Sequence, residues 1–224
     1  MPFGPHFPRF YPILDTHVLA KAGITTATMA RALARAGVQL AQFRHKGTYT
    51  REVFSQAEEA ARILKDGGVR FIINDRADVA LMLHADGVHL GQDDLPLACV
   101  RAIAASALTV GLSTHNEAQL READGQPADY LAIGPVFGTQ SKENPDPVAG
   151  VRELARLRPL TRKPLVAIGG ITRANVRDVL AAGADSVAVI SDLIDADLDA
   201  RLAEWMMLTA GPTRGGPHGT SPLL

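Results

Sequence analysis

The feature that most constrains this chain is a regular beat. Eight short apolar or β-branched runs alternate with Ala-rich amphipathic segments along most of the 224 residues. The runs cover residues 11–15, 38–44, 70–75, 87–91, 108–114, 129–136, 164–170 and 186–191. Most are continuous rather than alternating, as expected of strands buried on both faces. Helical patterns follow at 26–36, 50–65, 77–84, 96–105, 116–123, 148–157, 173–182 and 197–208. The second opens at Thr50 and stops before Gly67-Gly68, a clear start and stop. Eight such units predict a closed α/β TIM barrel, (β/α)8, as a single domain, in preference to an open doubly wound sheet. The phrases ARAGVQLAQF, LHADGVHLG, PADYLAIG and AAGADSVAVI repeat one plan of helix end, turn and small-residue strand. The expected barrel domain spans 11–210. Residues 1–10 read as an N-terminal extension, and 211–224, rich in Gly and Pro, as a disordered tail.

Bulk properties exclude several classes of partner. A formal net charge of -1 offers no electrostatic basis for binding nucleic acid or an anionic membrane. Cys99 is the single cysteine, so no internal disulfide forms, which suits a reducing compartment. No apolar run reaches the length of a bilayer span, and the proline-rich start MPFGPHFPRF has no signal-peptide core. The expectation is a cytoplasmic protein acting on small molecules. Nothing in the sequence decides for or against a homo-oligomer.

In a barrel of this kind chemistry sits at the C-terminal ends of the strands. There the chain places Gln42, Arg44, His45 and Lys46, then Asn74 and Asp75, then Gln92, Asp93 and Asp94. Ser113, Thr114 and His115 follow the fifth run; Thr139, Gln140, Ser141 and Lys142 follow the sixth; Gly169-Gly170 and Ile190-Ser191 close the set. Neighbouring strands lie about 4.8 Å apart. Asp75 and one of Asp93 and Asp94 are therefore expected to share one cation, and two carboxylates with room for water and phosphate oxygens suit Mg2+. Asp94 alone would read equally well as a helix cap before Leu95-Pro96. Arg44, Lys46 and Lys142 supply positive charge for a diphosphate. The glycine pair and the end of the eighth run lie where many barrels hold a phosphate, although a glycine pair also makes a tight turn. Ser113 has no evident base and orienting group, so it reads as a hydrogen-bonding residue rather than a nucleophile. Trp205 and Met206-Met207 read as helix packing. Together these residues predict an enzyme with one metal–diphosphate site and one monophosphate site, transferring a group with diphosphate as leaving group.

Seven motifs, QFRHK, INDR, GVHLGQDD, GLSTH, GPVFGTQSK, VAIGGI and AVIS, resemble in order and spacing those of the thiamine-phosphate synthase family, over about residues 11–194. The resemblance implies a TIM barrel, a Mg2+ cofactor and a transferase. Such an enzyme joins 4-amino-2-methyl-5-(diphosphooxymethyl)pyrimidine to a thiazole phosphate by a dissociative route, releasing diphosphate. It implies that Gln42, Phe43, Arg44, His45, Lys46, Asn74, Ser113 and Lys142 hold the pyrimidine diphosphate. Of these, Arg44, Lys46, Ser113 and Lys142 would act in catalysis. It implies metal ligation by Asp75 and Asp94. Thr139, Gln140, Ser141, Gly170, Ile190 and Ser191 would hold the thiazole phosphate. His45 stands where the family often has Glu, and Gly138 where proline is common. Alternative readings are a thiazole tautomerase-like enzyme, for which His115 is the feature of interest, and a non-catalytic phosphate-ligand sensor. A sugar-phosphate epimerase would need inner-rim acid–base groups that the histidines do not supply.

Overall fold

The computed structural model describes residues 7–104, 106–138 and 148–211. Eight parallel strands close into a barrel in sequence order. They are β1 Phe10–Asp15, β2 Leu40–Arg44, β3 Arg70–Asn74, β4 Gly87–Leu90, β5 Thr109–Thr114, β6 Tyr130–Ile133, β7 Leu165–Ile168 and β8 Ser186–Val189. The surrounding helices are α1 Thr16–Lys21, α2 Thr26–Arg35, α3 Arg51–Asp66, α4 Ala77–Met82, α5 Leu97–Ala104, α6 Glu117–Asp124, α7 Gly150–Leu157, α8 Val176–Ala181 and α9 Leu198–Thr209. The expected (β/α)8 architecture is what forms. One helix was not expected: α1 is created by Asp15, whose side chain accepts hydrogen bonds from the backbone N–H groups of His17 and Val18.

The repeated phrases have a physical meaning at the closed end of the barrel. Asp86, Asp129 and Asp185 each precede an even-numbered strand. Their carboxylates accept from the N–H of Phe71, Val110 and Leu165 at 2.8, 2.7 and 2.9 Å. Each aspartate then donates its own N–H to the carbonyl of that same residue. This reciprocal pair ties every even strand from β4 to β8 to the odd strand before it. Gln39 occupies the equivalent place before β2. Arg101 and Arg158 neutralise Asp129 and Asp185 at 2.6 and 3.0 Å.

Two apolar layers follow from the pleat. Outward-facing Leu14, Phe43, Ile73, Val88 and Val187 pack under the helices, where Trp205 of α9 stacks on Phe10 at 5.3 Å. Inward-facing Tyr11, Leu40, Ile72, Tyr130 and Val166 fill the barrel, joined by Phe7 from the N-terminal extension. Phe7 lies 4.9 Å from the Tyr130 ring, so part of that extension belongs to the core. Residues 1–6 and 212–224 of the two expected flanking segments lie outside the described residues. Gly111 makes the inner layer feasible: a Cβ there would stand 2.1 Å from Tyr130 Cζ.

Candidate active site

A cavity of about 650 Å3 opens at the C-terminal mouth of the strands. Its first wall is an acidic corner. Asp75 follows β3 in the left-handed region at φ 64°, a conformation aspartate tolerates better than most residues. Its N–H donates to His89 O at 2.7 Å, which anchors it to β4. Its side chain hydrogen-bonds that of Asp94 and accepts from Lys46 Nζ at 2.6 Å. Burial first, then the contact with Asp94, pushes the Asp75 carboxyl up to about 6, against the pull of Lys46. Asp94 is held by the turn it closes, accepting from Gly91 N–H at 2.6 Å. Two oxygen-donor side chains thus meet beside one lysine, a donor set that suits a hard cation such as Mg2+. Asp93 is exposed on the same rim.

The second wall is β2. Gln42 and Arg44 line the cavity, and Arg44 is braced by an ion pair with the buried Asp15. The side chains of Phe43 and His45 do not face the cavity. Phe43 is fully buried among the helices, because the pleat sends alternate residues outward. His45 turns away to bond Thr16 Oγ1 at 2.8 Å and meets Tyr49 edge-on. Asn74 does line the cavity, and its amide nitrogen is buried with no hydrogen-bond partner. Such an orphan donor costs about 1–3 kcal/mol unless an acceptor meets it.

The floor is a chain of neutral polar groups. Gln42 Nε2 donates to Tyr11 Oη at 2.8 Å, and Tyr11 Oη lies 2.9 Å from Tyr130 Oη. Tyr130 Oη reaches His89 Nδ1 at 3.0 Å, and His89 Nε2 reaches Ser113 Oγ at 2.8 Å. Burial pushes His89 down to about 4, so the ring is neutral at pH 7. Ser113 therefore has a histidine neighbour after all, but it is His89 from the adjacent strand rather than His115. His115 Nδ1 donates to Gly134 O at 2.6 Å.

The opposite wall carries the glycines. Gly169 and Gly170 have φ 96° and 62°, and a Cβ on Gly170 would meet Gly138 O at 2.5 Å. Both features demand glycine. Ile190 and Ser191 line the same side, at the start of a 3-10 turn, Ser191–Leu193. Asp192 joins the two loops: its carboxylate accepts from Arg173 N and Nε at 3.3 and 3.0 Å, and its carbonyl from Arg201 at 3.0 Å. Thr139, Gln140, Ser141 and Lys142 lie outside the described residues.

Sequence reasoning missed Asp15, Tyr11, Tyr130, His89 and Asp192. Inside a strand, a tyrosine or histidine reads as core. Asp15, the last residue of the first run, and Asp192, after the eighth, carry no motif that marks them.

A closed barrel whose strand ends converge on an acidic corner, a lysine and a glycine-lined recess defines a (β/α)8-barrel enzyme. The family model for thiamine monophosphate synthase matches residues 10–193. A thiamine-phosphate synthase from Koribacter versatilis is 47% identical over 210 residues, covering 93% of this chain and 99% of its own. One from Chloroflexus aurantiacus is 40% identical over 185 residues, covering 81% and 85%. Among solved structures, a thiamine phosphate pyrophosphorylase from Pyrococcus furiosus superposes with TM-score 0.79 at 31% identity, covering 90% of this chain and 95% of that one. The chain belongs to the thiamine monophosphate synthase family.

Proposed function

We propose that this chain is a thiamine-phosphate synthase that joins 4-amino-2-methyl-5-(diphosphooxymethyl)pyrimidine to a thiazole phosphate. The observation that carries the reading is the pairing of an acidic corner with a glycine-lined recess across one cavity, room for two anionic groups of different kinds. In the reaction the methylene C–O bond breaks with its electron pair on diphosphate. The thiazole nitrogen lone pair forms the new C–N bond. No proton needs removal, so a site without a charged base at its floor is adequate. The work falls to charge and position. Arg44 and Lys46 face the diphosphate, Asn74 offers its orphan N–H, and Ser113 its hydroxyl. Lys142 adds its charge to the diphosphate, and Thr139, Gln140 and Ser141, with Gly170, Ile190 and Ser191, hold the thiazole phosphate. Asp75 and Asp94 hold Mg2+, which, when bound, neutralises charge developing on the departing diphosphate. Among the described residues no helix is long and apolar enough to cross a membrane, and the cytoplasm is the proposed location.

The test is a product assay. Purified protein with both substrates and Mg2+ should yield thiamine phosphate and diphosphate, and EDTA should abolish the yield. A folded protein that makes no thiamine phosphate overturns the reading. Asp75→Ala and Asp94→Ala should each raise the Mg2+ requirement, and an unaltered Mg2+ dependence in both removes the metal assignment.

A further inference from the structure

The buried floor of the cavity has a direction. Gln42, Tyr11, Tyr130 and His89 are 2%, 1%, 0% and 7% exposed, so water does not compete for their polar atoms. Each phenol has one hydrogen to give, and a neutral imidazole has one N–H. Gln42 Nε2 is a donor only, so Tyr11 Oη accepts from it and must give its own hydrogen onward. The partner within reach is Tyr130 Oη at 2.9 Å. Tyr130 then gives its hydrogen to His89 Nδ1, 3.0 Å away. With Nδ1 accepting, the single N–H of His89 lies on Nε2 and points at Ser113 Oγ. Ser113 Oγ accepts, and its own hydrogen is left to point elsewhere. The reverse order would need Tyr11 both to receive from Gln42 and to receive from Tyr130, stranding a buried hydroxyl hydrogen at a cost of about 1–3 kcal/mol.

We infer that this one-way chain from Gln42 through Tyr11, Tyr130 and His89 fixes the Ser113 hydroxyl as a hydrogen-bond donor into the cavity, aimed at the diphosphate leaving group. Ser113 is the group that touches substrate; Tyr11, Tyr130 and His89 are positioning residues. The polarity of the chain follows from the free protein alone, whereas the identity of the recipient rests on the proposed function. The direction matters because a diphosphate oxygen only accepts. In the opposite polarity Ser113 would spend its hydrogen on His89 and present lone pairs to an anion. The chain therefore converts a neutral serine into an obligate donor without placing a fixed charge in the barrel interior.

The primary test needs no variant. Full-length protein labelled with 15N in its histidine rings is studied by long-range 1H–15N correlation at pH 7.5, and the His89 pattern is identified by its absence in His89→Gln or by connection to its backbone. The Nε2–H tautomer is the expected result, and the Nδ1–H tautomer overturns the inference. Tyr130→Phe keeps the ring and removes the hydrogen bond to His89 Nδ1, so the chain no longer fixes which nitrogen of His89 carries the proton. In that variant kcat should fall by about tenfold, roughly one buried hydrogen bond, while KM for the thiazole phosphate is unchanged. A wild-type kcat in Tyr130→Phe overturns the link to catalysis. If the unaltered protein makes no thiamine phosphate, the proposed function fails, but the tautomer spectrum still decides the polarity.

Discussion

Gly111→Ala is the sharpest test of how the fold makes the site. Gly111 on β5 pairs in register with His89 on β4 and with Tyr130 on β6. It leaves the space that the Tyr130 ring crosses to reach His89, whose ring lies 5.5 Å away. An alanine Cβ would stand 2.1, 2.4 and 2.5 Å from Tyr130 Cζ, Oη and Cε2. Carbon atoms settle at about 3.5–4.0 Å, so the ring must retreat by more than an ångström. That displacement breaks its contacts with Tyr11 and His89 at 2.9 and 3.0 Å. Overpacking of this kind costs about 1–3 kcal/mol, and stranding a buried hydroxyl adds a comparable amount. A total loss of about 4 kcal/mol is expected. With a urea slope of about 2–3 kcal/mol per M, the midpoint of equilibrium unfolding should fall by about 1–2 M. The clash is with one ring, so Gly111→Ala combined with Tyr130→Leu should be much less harmful than the two single losses together, by more than about 1 kcal/mol. An unchanged midpoint in Gly111→Ala, or strict additivity in the double variant, would refute the reasoning.

Mg2+ binding should depend on Asp75, whose carboxyl titrates near 6; below that pH the apparent affinity should fall by up to about tenfold per pH unit as a proton competes, and calorimetric titrations giving one affinity from pH 5 to 7 would contradict it. In metal-free buffer the same shift, from 3.8 to about 6, means the folded chain holds a proton that the unfolded chain has released. Its contribution to stability is then present below 3.8 and lost as pH rises through about 6, and unfolding curves should show Mg2+ restoring it at the upper end. Asp192→Ala unties the two loops beside the glycine recess, and KM for the thiazole phosphate should rise by about fivefold, one hydrogen bond's worth, with KM for the pyrimidine diphosphate unchanged. Asp129→Ala orphans Val110 N–H at the far end of the barrel and takes the carboxylate from Arg101, which keeps its bonds to the Pro127 and Leu108 carbonyls; stability should drop by about 1–3 kcal/mol with both KM values intact, as denaturation and steady-state kinetics will report.

The fold was legible because its strongest signal is periodic. All eight strands form where short runs were expected, and the errors are at their ends. The run at 129–136 shortens to Tyr130–Ile133 because Gly134-Pro135 carries the chain out of the ladder, and proline has no N–H to pair. The run at 87–91 stops at Leu90, where Gly91 turns to serve the Asp94 carboxylate. Helix α1 was illegible because six residues, THVLAK, hold too little periodicity to read. The rim residues were legible because a barrel fixes which strand ends carry chemistry, so Asp75, Asp94 and Lys46 were expected together and are found together. The floor was not. Tyr11 and Tyr130 are 119 residues apart, and only closure of the sheet brings their hydroxyls to 2.9 Å.

That division between a legible rim and an illegible floor has an electrostatic cause. Charged side chains are costly to bury, so they stay at the mouth and in pairs. Arg44 is spent on Asp15, and Lys46 on Asp75 with Asp94 beside it. Among these described residues two cations face three acids, which leaves the corner negative once Asp75 has ionised. A diphosphate entering such a corner would be repelled. A divalent cation held by Asp75 and Asp94, as proposed, would reverse the local sign. On the proposed function, the acid pair would make cation binding and anion binding mutually dependent. The interior below, kept neutral by two phenols and a low-pKa histidine, adds a directed hydrogen bond without adding charge. On this reasoning, removing both acids in Asp75→Asn/Asp94→Asn should let the diphosphate bind without Mg2+, at an affinity independent of EDTA, while turnover collapses. If that double variant still requires Mg2+ to bind the pyrimidine diphosphate, the charge argument for the corner is wrong.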